Sequence, residues 1–340
     1  MPELSIIVSV YGVEKHIRRC LASITSQLTD QVELIIVNDC TPDRSMEICR
    51  DYSSQYPAIR IIEHTHNQGI SSARNTGIRE SRGRYCWFID ADDYILPGAL
   101  EKVLNCILSE EADTYFWGHD RLYEADGALN SHPLQPECID RNAQSDFQAA
   151  NLLCRIARNH FGFEIWSKIF SLDLIRRHGL QFPTGFYYGE DLVFLIDYIH
   201  YSHKICVRRE CIYTYVLHEN SMMAKSRNVC RLPEMVSNAA YIYRCIAPNP
   251  YHYIPAGLIL SLGALQSWNN DLYNHIRENP DSLFLHEITS KLIRSPVLLL
   301  RLCGRRSAAV TYLNALLIKS ALHSRKKSYL FIRKITNRIL

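Results

Sequence analysis

The 340-residue chain is 47% hydrophobic and 21% charged, which excludes general disorder and allows a sizeable buried core for two domains or one with an appendage. Its net charge of +3 conceals an asymmetry: residues 288–340 hold twelve Lys and Arg and no Asp or Glu, leaving 26 basic against 35 acidic residues elsewhere. An acidic body with a basic tail points to an anionic surface, membrane phospholipid ahead of nucleic acid, for which no motif accompanies the charges.

The twelve cysteines are scattered without a C-x-x-C pair, so they read as reduced core residues of a cytosolic protein rather than zinc ligands or disulfides. Leu4 to Val10 is too short, and lacks the basic flank, for a secretory signal. That stretch instead reads as a first strand ending at Tyr11-Gly12. Apolar residues at Val13, Ile17, Leu21, Ile24 and Leu28 follow at helical spacing. Val32 to Val37 is a second strand, and the turn-rich Asn38–Asp43 opens a helix running to about Tyr56. Ile59 to Glu63 is a third strand, Ile70 to Ser81 a helix, and Tyr85 starts a fourth strand. The alternation predicts an α/β fold, a mainly parallel sheet with helices on both faces. No Gly-x-Gly-x-x-Gly or Walker-type Gly-Lys-Ser is present, which excludes a dinucleotide fingerprint and a P-loop.

The fourth strand, Cys86-Trp-Phe-Ile89, runs into Asp90, Asp92 and Asp93. Ligands of open parallel sheets bind at the carboxyl ends of strands, and clustered carboxylates there suit a hard divalent cation bridged to phosphates. Four ordered motifs then give a resemblance: Val8-Ser-Val10-Tyr11, Val37-Asn-Asp39-x-x-x-Asp43, Asn67-x-Gly69-x-x-x-Ala73-Arg74-Asn75-x-Gly77 and Phe88-Ile-Asp90-Ala91-Asp92-Asp93. Together they resemble family 2 glycosyltransferases over roughly the first hundred residues. The resemblance implies a GT-A fold, a nucleotide-diphospho-sugar donor and an inverting, Mn²⁺- or Mg²⁺-dependent reaction. It implies donor contacts from Val8, Val10, Tyr11, Asp39, Arg74, Asp90 and Ala91, with Asp39 accepting from uracil N3–H, and a metal held by Asp92. Cys40 departs from the pattern, standing where such sequences usually have a glycine that permits a left-handed turn.

Leu100 to Leu108 reads as a helix, Asp113 to Gly118 as a strand, and residues 119–145 as a variable, turn-rich loop near the acceptor. Trp166-Ser-Lys168 resembles a Trp-x-Lys segment of these enzymes, with Trp166 either flooring an acceptor sugar or filling the core. Gly189-Glu190-Asp191 opens an apolar helix, where a carboxylate is stabilised as the anion. By resemblance Asp191 is the base that deprotonates the acceptor hydroxyl, with Glu190 the alternative and a plain helix cap the bland reading. His218, in Tyr213-Thr-Tyr215-Val-Leu-His218, is by the same resemblance a metal or diphosphate ligand. The Gln-x-x-Arg-Trp motif of processive synthases is missing, so one sugar per encounter is expected.

The division expected is a GT-A domain over 1–222, with a nucleotide-sugar half at 1–100 and an acceptor half at 101–222, then a helical basic extension over 223–340. Residues 246–270 lack Lys, Arg, Asp and Glu but contain three prolines, and read as a buried helix rather than a span. Val297 onward mixes apolar and basic residues as interfacial helices do; packing on the catalytic domain is the alternative. The resulting expectation is a non-processive transferase using a UDP-sugar on a lipid-linked bacterial surface glycan, peripheral on the cytoplasmic face of the inner membrane. Its rivals are a non-catalytic nucleotide-sugar-binding scaffold and a nucleotidyltransferase.

Overall fold

The computed structural model describes residues 1–140, 161–185, 189–219 and 282–294, with short pieces at 152, 154–155, 236, 239–240 and 315–316. The chain divides into two compact units, Met1–Asn142 with Glu164–Thr184 and Tyr201–Ser226, and Ala143–Phe163 with Gly185–His200 and Arg227–Leu340. This division interleaves along the chain.

The first unit holds the sheet. Strands β1 (Leu4–Val10), β2 (Val32–Asn38), β3 (Ile59–Glu63) and β4 (Tyr85–Asp90) lie side by side in parallel, in the order β3-β2-β1-β4. The same sheet continues through β9 (Lys168–Ser171), β6 (Thr114–Tyr123), β10 (Lys204–Leu217) and the short β5 (Tyr94–Ile95). Strand β9 runs antiparallel to both β4 and β6, so β1, β4, β6 and β10 all point one way and end at one edge.

Helices α1 (Ile17–Thr25), α2 (Ser45–Gln55) and α4 (Ala99–Ser109) bury Cys20, Leu21, Ile24, Cys49, Leu100 and Val103 against one face. Helix α3 (Ile70–Glu80) covers the other through Ala73, packed with Ile35 and Val37. Strand residues alternate between the two layers, as period-two side chains require. The two-faced α/β architecture read from the sequence is therefore the one observed.

Two boundaries differ. The first helix is shorter than its apolar spacing suggests, because residues 13–16 form a turn with His16 N and Ile17 N both donating to Val13 O. Residues 119–140 are not a loop: β6 extends to Tyr123, β7 (Ala128–His132) pairs with it, and β8 (Glu137–Asp140) pairs with β10. Strand β7 is exposed at all five residues, so no apolar alternation marks it. Helix α5 (Leu172–His178) completes the first unit, with Ser171 Oγ accepting from Leu174 N as its N-cap.

In the second unit, α6 (Glu190–Tyr201) begins after Gly189, whose φ is 83°, and α7 (Ser282–Arg294) buries Ile288 and Leu292 at i, i+4 spacing. No helix among the described residues is long and apolar enough to cross a membrane. The proline-containing stretch at 246–270 lies outside the described residues, as does the basic tail from 297 apart from 315–316. The nine described cysteines are all free.

Candidate donor and metal site

The edge where β1, β2, β4, β6 and β10 end carries the four motifs. At the end of β1, Tyr11 is 50% exposed, whereas Val8 and Val10 bury their side chains in the core and Ala91 is also buried. Val10 contributes a carbonyl, which accepts from Asp39 N at 3.0 Å.

Asp39, after β2, is almost fully buried and serves as a hub. Its Oδ1 accepts from Gln68 N and its Oδ2 from Gly69 N, both at 2.8 Å, and Oδ1 also meets His64 Nδ1 at 2.8 Å. His64 Nε2 reaches Thr76 Oγ1 at 2.9 Å, so a buried chain runs from the β2 turn through β3 to α3. Sequence reasoning missed His64, whose only signal is its place after a strand. The neighbouring Cys40 is the one non-glycine residue with positive φ among the described residues, at 57°. The turn does demand the left-handed conformation that glycine would adopt without strain. Asp43 sits below the usual carboxylate range: burial raises it, but Ser45, Thr41 and the Glu14 amide hydrogen-bond the anion and outweigh that.

Each small or polar residue of the third motif has a distinct task. Gly69 takes φ 84° to start α3. Gly77 allows β1 close approach, since a Cβ there would lie 2.3 Å from Ile7 Cγ2. Asn75 is buried and exchanges two hydrogen bonds with the Phe182 backbone, at 2.9 and 2.8 Å. Arg74, 4% exposed, pairs with Asp90 Oδ1 at 3.0 Å, with its guanidinium 5.3 Å from the Phe182 ring centre. The Arg74–Asp90 pairing places the guanidinium beside the acidic turn.

After β4 the three carboxylates diverge in environment. Asp90 and Asp92 keep 29% and 28% of their side chains exposed, while Asp93 is 0% exposed. Burial first, then the charges of Asp92 and Asp90, push the Asp93 carboxyl well above its usual value. Asp92 Oδ2 lies 3.0 Å from His218 Nε2. That hydrogen bond raises the His218 imidazole above its usual pKa, against the effect of burial. His16 stacks on His218 with ring centres 4.5 Å apart, and burial, then His218, hold its own pKa down. Arg19 Nη2 donates to the Asp92 carbonyl at 3.0 Å. Neither His16 nor Arg19 was singled out from the sequence; His16 is the N-cap residue of α1 and Arg19 lies in its first turn, but their partners are over seventy residues away.

The Asp92–His218 pair fits a divalent cation. Asp92 offers a carboxylate oxygen and His218 a ring nitrogen, 3.0 Å apart, donor types that such a cation accepts. The shared proton would give way to the ion. Among the described residues no set of three such side chains converges, so substrate and water oxygens would complete the shell.

Trp166 and Lys168 lie in the interior. The Trp166 indole stacks on Tyr213 and Tyr215 at 4.5 and 5.4 Å, meets the edge of His119, and is 6% exposed, which is the core alternative rather than an open sugar floor. Lys168 is 0% exposed, and its Nζ donates to Glu164 O at 2.5 Å, closing the turn that precedes β9. His119 is held down to about 3 by burial, then by Arg121, His132 and Lys168, so it is neutral.

The sequence also gave no hint of a polar row on the α3 face. Strand register puts Ser9 beside Asp90 and Asp120 beside Thr214, and the β4–β9–β6 pairings place all four on that face near the strand ends. Ser9 Oγ, Asp120 Oδ1 and Thr214 Oγ1 are buried without a hydrogen-bond partner. Such atoms are uncommon and mark places where a water or ligand group belongs.

In the second unit, Glu190 and Asp191 occupy the first turn of α6, Glu190 9% exposed and Asp191 half-buried.

A mainly parallel sheet with helices on both faces and a carboxylate cluster at its strand ends is the layout of a GT-A fold. The family model described as "Glycosyl transferase family 2" matches residues 5–163. It is 30% identical over 222 residues to the uncharacterized glycosyltransferase EpsJ of Bacillus subtilis, covering 65% of this chain. It is 27% identical over 218 residues to a poly(ribitol-phosphate) beta-glucosyltransferase of Bacillus spizizenii, covering 63% of this chain and 32% of that one. The chain spans 63% of the length of EpsJ. Among solved structures, S. aureus TarS 1-349 in complex with UDP-GlcNAc superposes with a TM-score of 0.70 at 17% identity, covering 99% of this chain and 92% of that one.

Proposed function

We propose that this chain transfers a sugar from a UDP-sugar to a hydroxyl of a bacterial surface glycan, with inversion and with the help of Mn²⁺ or Mg²⁺. The observation that carries the reading is the Asp92–His218 pair at 3.0 Å, on the sheet edge that also holds Asp39, Arg74 and Asp90. The UDP-GlcNAc bound by TarS and the polymer named for the Bacillus spizizenii relative support the donor and acceptor classes.

In this reading Tyr11 stacks on the uracil. Asp39, with three of about four acceptor positions taken by protein groups, keeps one for uracil N3–H. Asp90, held by Arg74, takes the ribose. The cation, held by Asp92 and His218, supplies positive charge to the departing diphosphate. Asp191 removes the acceptor hydroxyl proton as that oxygen attacks C1 from the face opposite the diphosphate, which inverts the anomeric centre; Glu190 is the neighbouring alternative. Asp120 and Thr214 offer unsatisfied oxygens to acceptor hydroxyls. Catalysis belongs to residues 1–222. The basic segment beyond 223 holds the protein on anionic lipid at the cytoplasmic face of the inner membrane.

The test is thermal stabilisation by UDP-, GDP- and CMP-sugars with and without Mn²⁺, followed by turnover. A metal-dependent shift with one UDP-sugar is expected, and Asp191→Asn should lose turnover by at least a hundredfold with UDP affinity intact, in line with general-base contributions of about 10²–10⁴. A flat panel would overturn the donor assignment. Truncation before Pro296 should release the protein from anionic liposomes; retention would refute the membrane role.

A further inference from the structure

The third carboxylate of the Asp90–Asp93 turn takes no part in the reaction above, yet it is the most deeply buried of the three. Asp93 Oδ2 accepts from Tyr213 Oη at 2.6 Å, and its Oδ1 accepts from Val216 N at 2.7 Å. Tyr213 Oη in turn accepts from Asp90 N at 3.2 Å. One side chain thus fastens the acidic turn to β10, the strand that leads to His218.

The main chain does not make this connection. Strand β5 pairs with β10 only at Ile95–Tyr213 and Tyr94–Thr214, so its ladder stops two residues short of Val216. The Asp93 carboxylate stands where the next backbone acceptor would be and satisfies a buried amide that would otherwise be orphaned. On its other side, this end of β10 is held by β6 through the pairs Val216–Leu122 and Leu217–Tyr123. Asp92 precedes Asp93 by one residue, and His218 follows Val216 by two. The latch therefore joins the two backbones that carry the Asp92 carboxylate and the His218 ring.

We propose that Asp93 is a positioning residue for the divalent-cation pair, fixing the separation of Asp92 Oδ2 and His218 Nε2. This rests on the reading of Asp92 and His218 as metal ligands. Outer-shell partners of metal ligands change affinity by about 10–100-fold when removed.

The experiment titrates Mn²⁺ into the full chain by electron paramagnetic resonance, with UDP present, for wild type, Asp93→Ala, Asp93→Asn and Tyr213→Phe. Metal-free UDP affinity and melting temperature are measured alongside. Asp93→Ala should weaken Mn²⁺ at least tenfold while leaving metal-free UDP binding unchanged. Asp93→Asn should recover most of the loss, because its amide oxygen still accepts from Val216 N. Tyr213→Phe, which keeps the ring stacked on Trp166, should fall between them and serves if Asp93→Ala does not fold. Wild-type Mn²⁺ affinity in Asp93→Ala, or equal weakening of Mn²⁺ and metal-free UDP, would overturn the positioning role. A wild type that binds no Mn²⁺ beside UDP would instead remove the ligand assignment on which the role depends.

Discussion

Cys40 sits at φ 57°, next to Asp39, whose carboxylate meets three protein groups. A side chain in the left-handed region costs roughly 1–2 kcal/mol, partly offset because glycine would loosen the unfolded chain. Cys40→Gly should therefore stabilise the protein by about 1 kcal/mol, read as a raised denaturation midpoint at unchanged slope. A lowered midpoint would mean that the weak contact of Cys40 Sγ with the Thr65 carbonyl, at 4.0 Å, outweighs the strain. The conformational demand here was legible, because a turn after a strand in this motif asks for glycine. The three protein groups that hold Asp39 were not, since Gln68, Gly69 and His64 lie twenty-five or more residues away.

Helix α3 shows how one element converts sequence into site geometry. Ala73 and Gly77 let it lie close on the sheet, Arg74 reaches Asp90, and Asn75 clamps the Phe182 backbone. In Gly77→Ala the new methyl would sit 2.3 Å from Ile7 Cγ2, a branched side chain that is 0% exposed and has no room to turn. Overpacking of this kind costs about 1–3 kcal/mol. The substitution should lower the melting temperature, and adding Ile7→Ala should recover part of it through a favourable coupling in a double-mutant cycle. Additive losses would show that α3 shifts as a body rather than pressing on Ile7. The helix was readable from its boundaries, but the strands β7 and β8 were not. Strand β7 is exposed throughout and β8 is only four residues long, so neither gives a readable apolar pattern, and pairing to β6 and β10 orders them.

For the whole molecule, stability against pH should carry the mark of Asp197 on α6. Burial pushes its carboxyl up to about 6. The folded state thus holds this proton more tightly than the unfolded chain, where a carboxyl titrates near about 3.9. Its stabilising contribution is complete below that value and is lost as pH rises through about 6. At pH 7 the ionised group is a net cost, on the order of 1–2 kcal/mol after allowing for its partial exposure to solvent. Asp197→Asn should raise the melting temperature at pH 7 and leave it unchanged near pH 4. An equal gain at both values would point to packing rather than charge.

The sequence by itself determined the two-faced α/β layout and the four motifs at the strand ends, because each rests on local spacing or on a short run of residues. The positive-φ demand at Cys40 belongs with these, as do the acidic start of α6 and the apolar register of β1, β2 and β4. Tertiary structure alone decided that Asp90 meets Arg74, that Asp92 faces His218 across 126 positions, and that Asp93 is withdrawn as a latch. It also decided that Trp166 and Lys168 turn inward and that Asp120 and Thr214 share a face with Asp90. These are contacts between distant strands, set by sheet order and register, which residue type and periodicity do not encode.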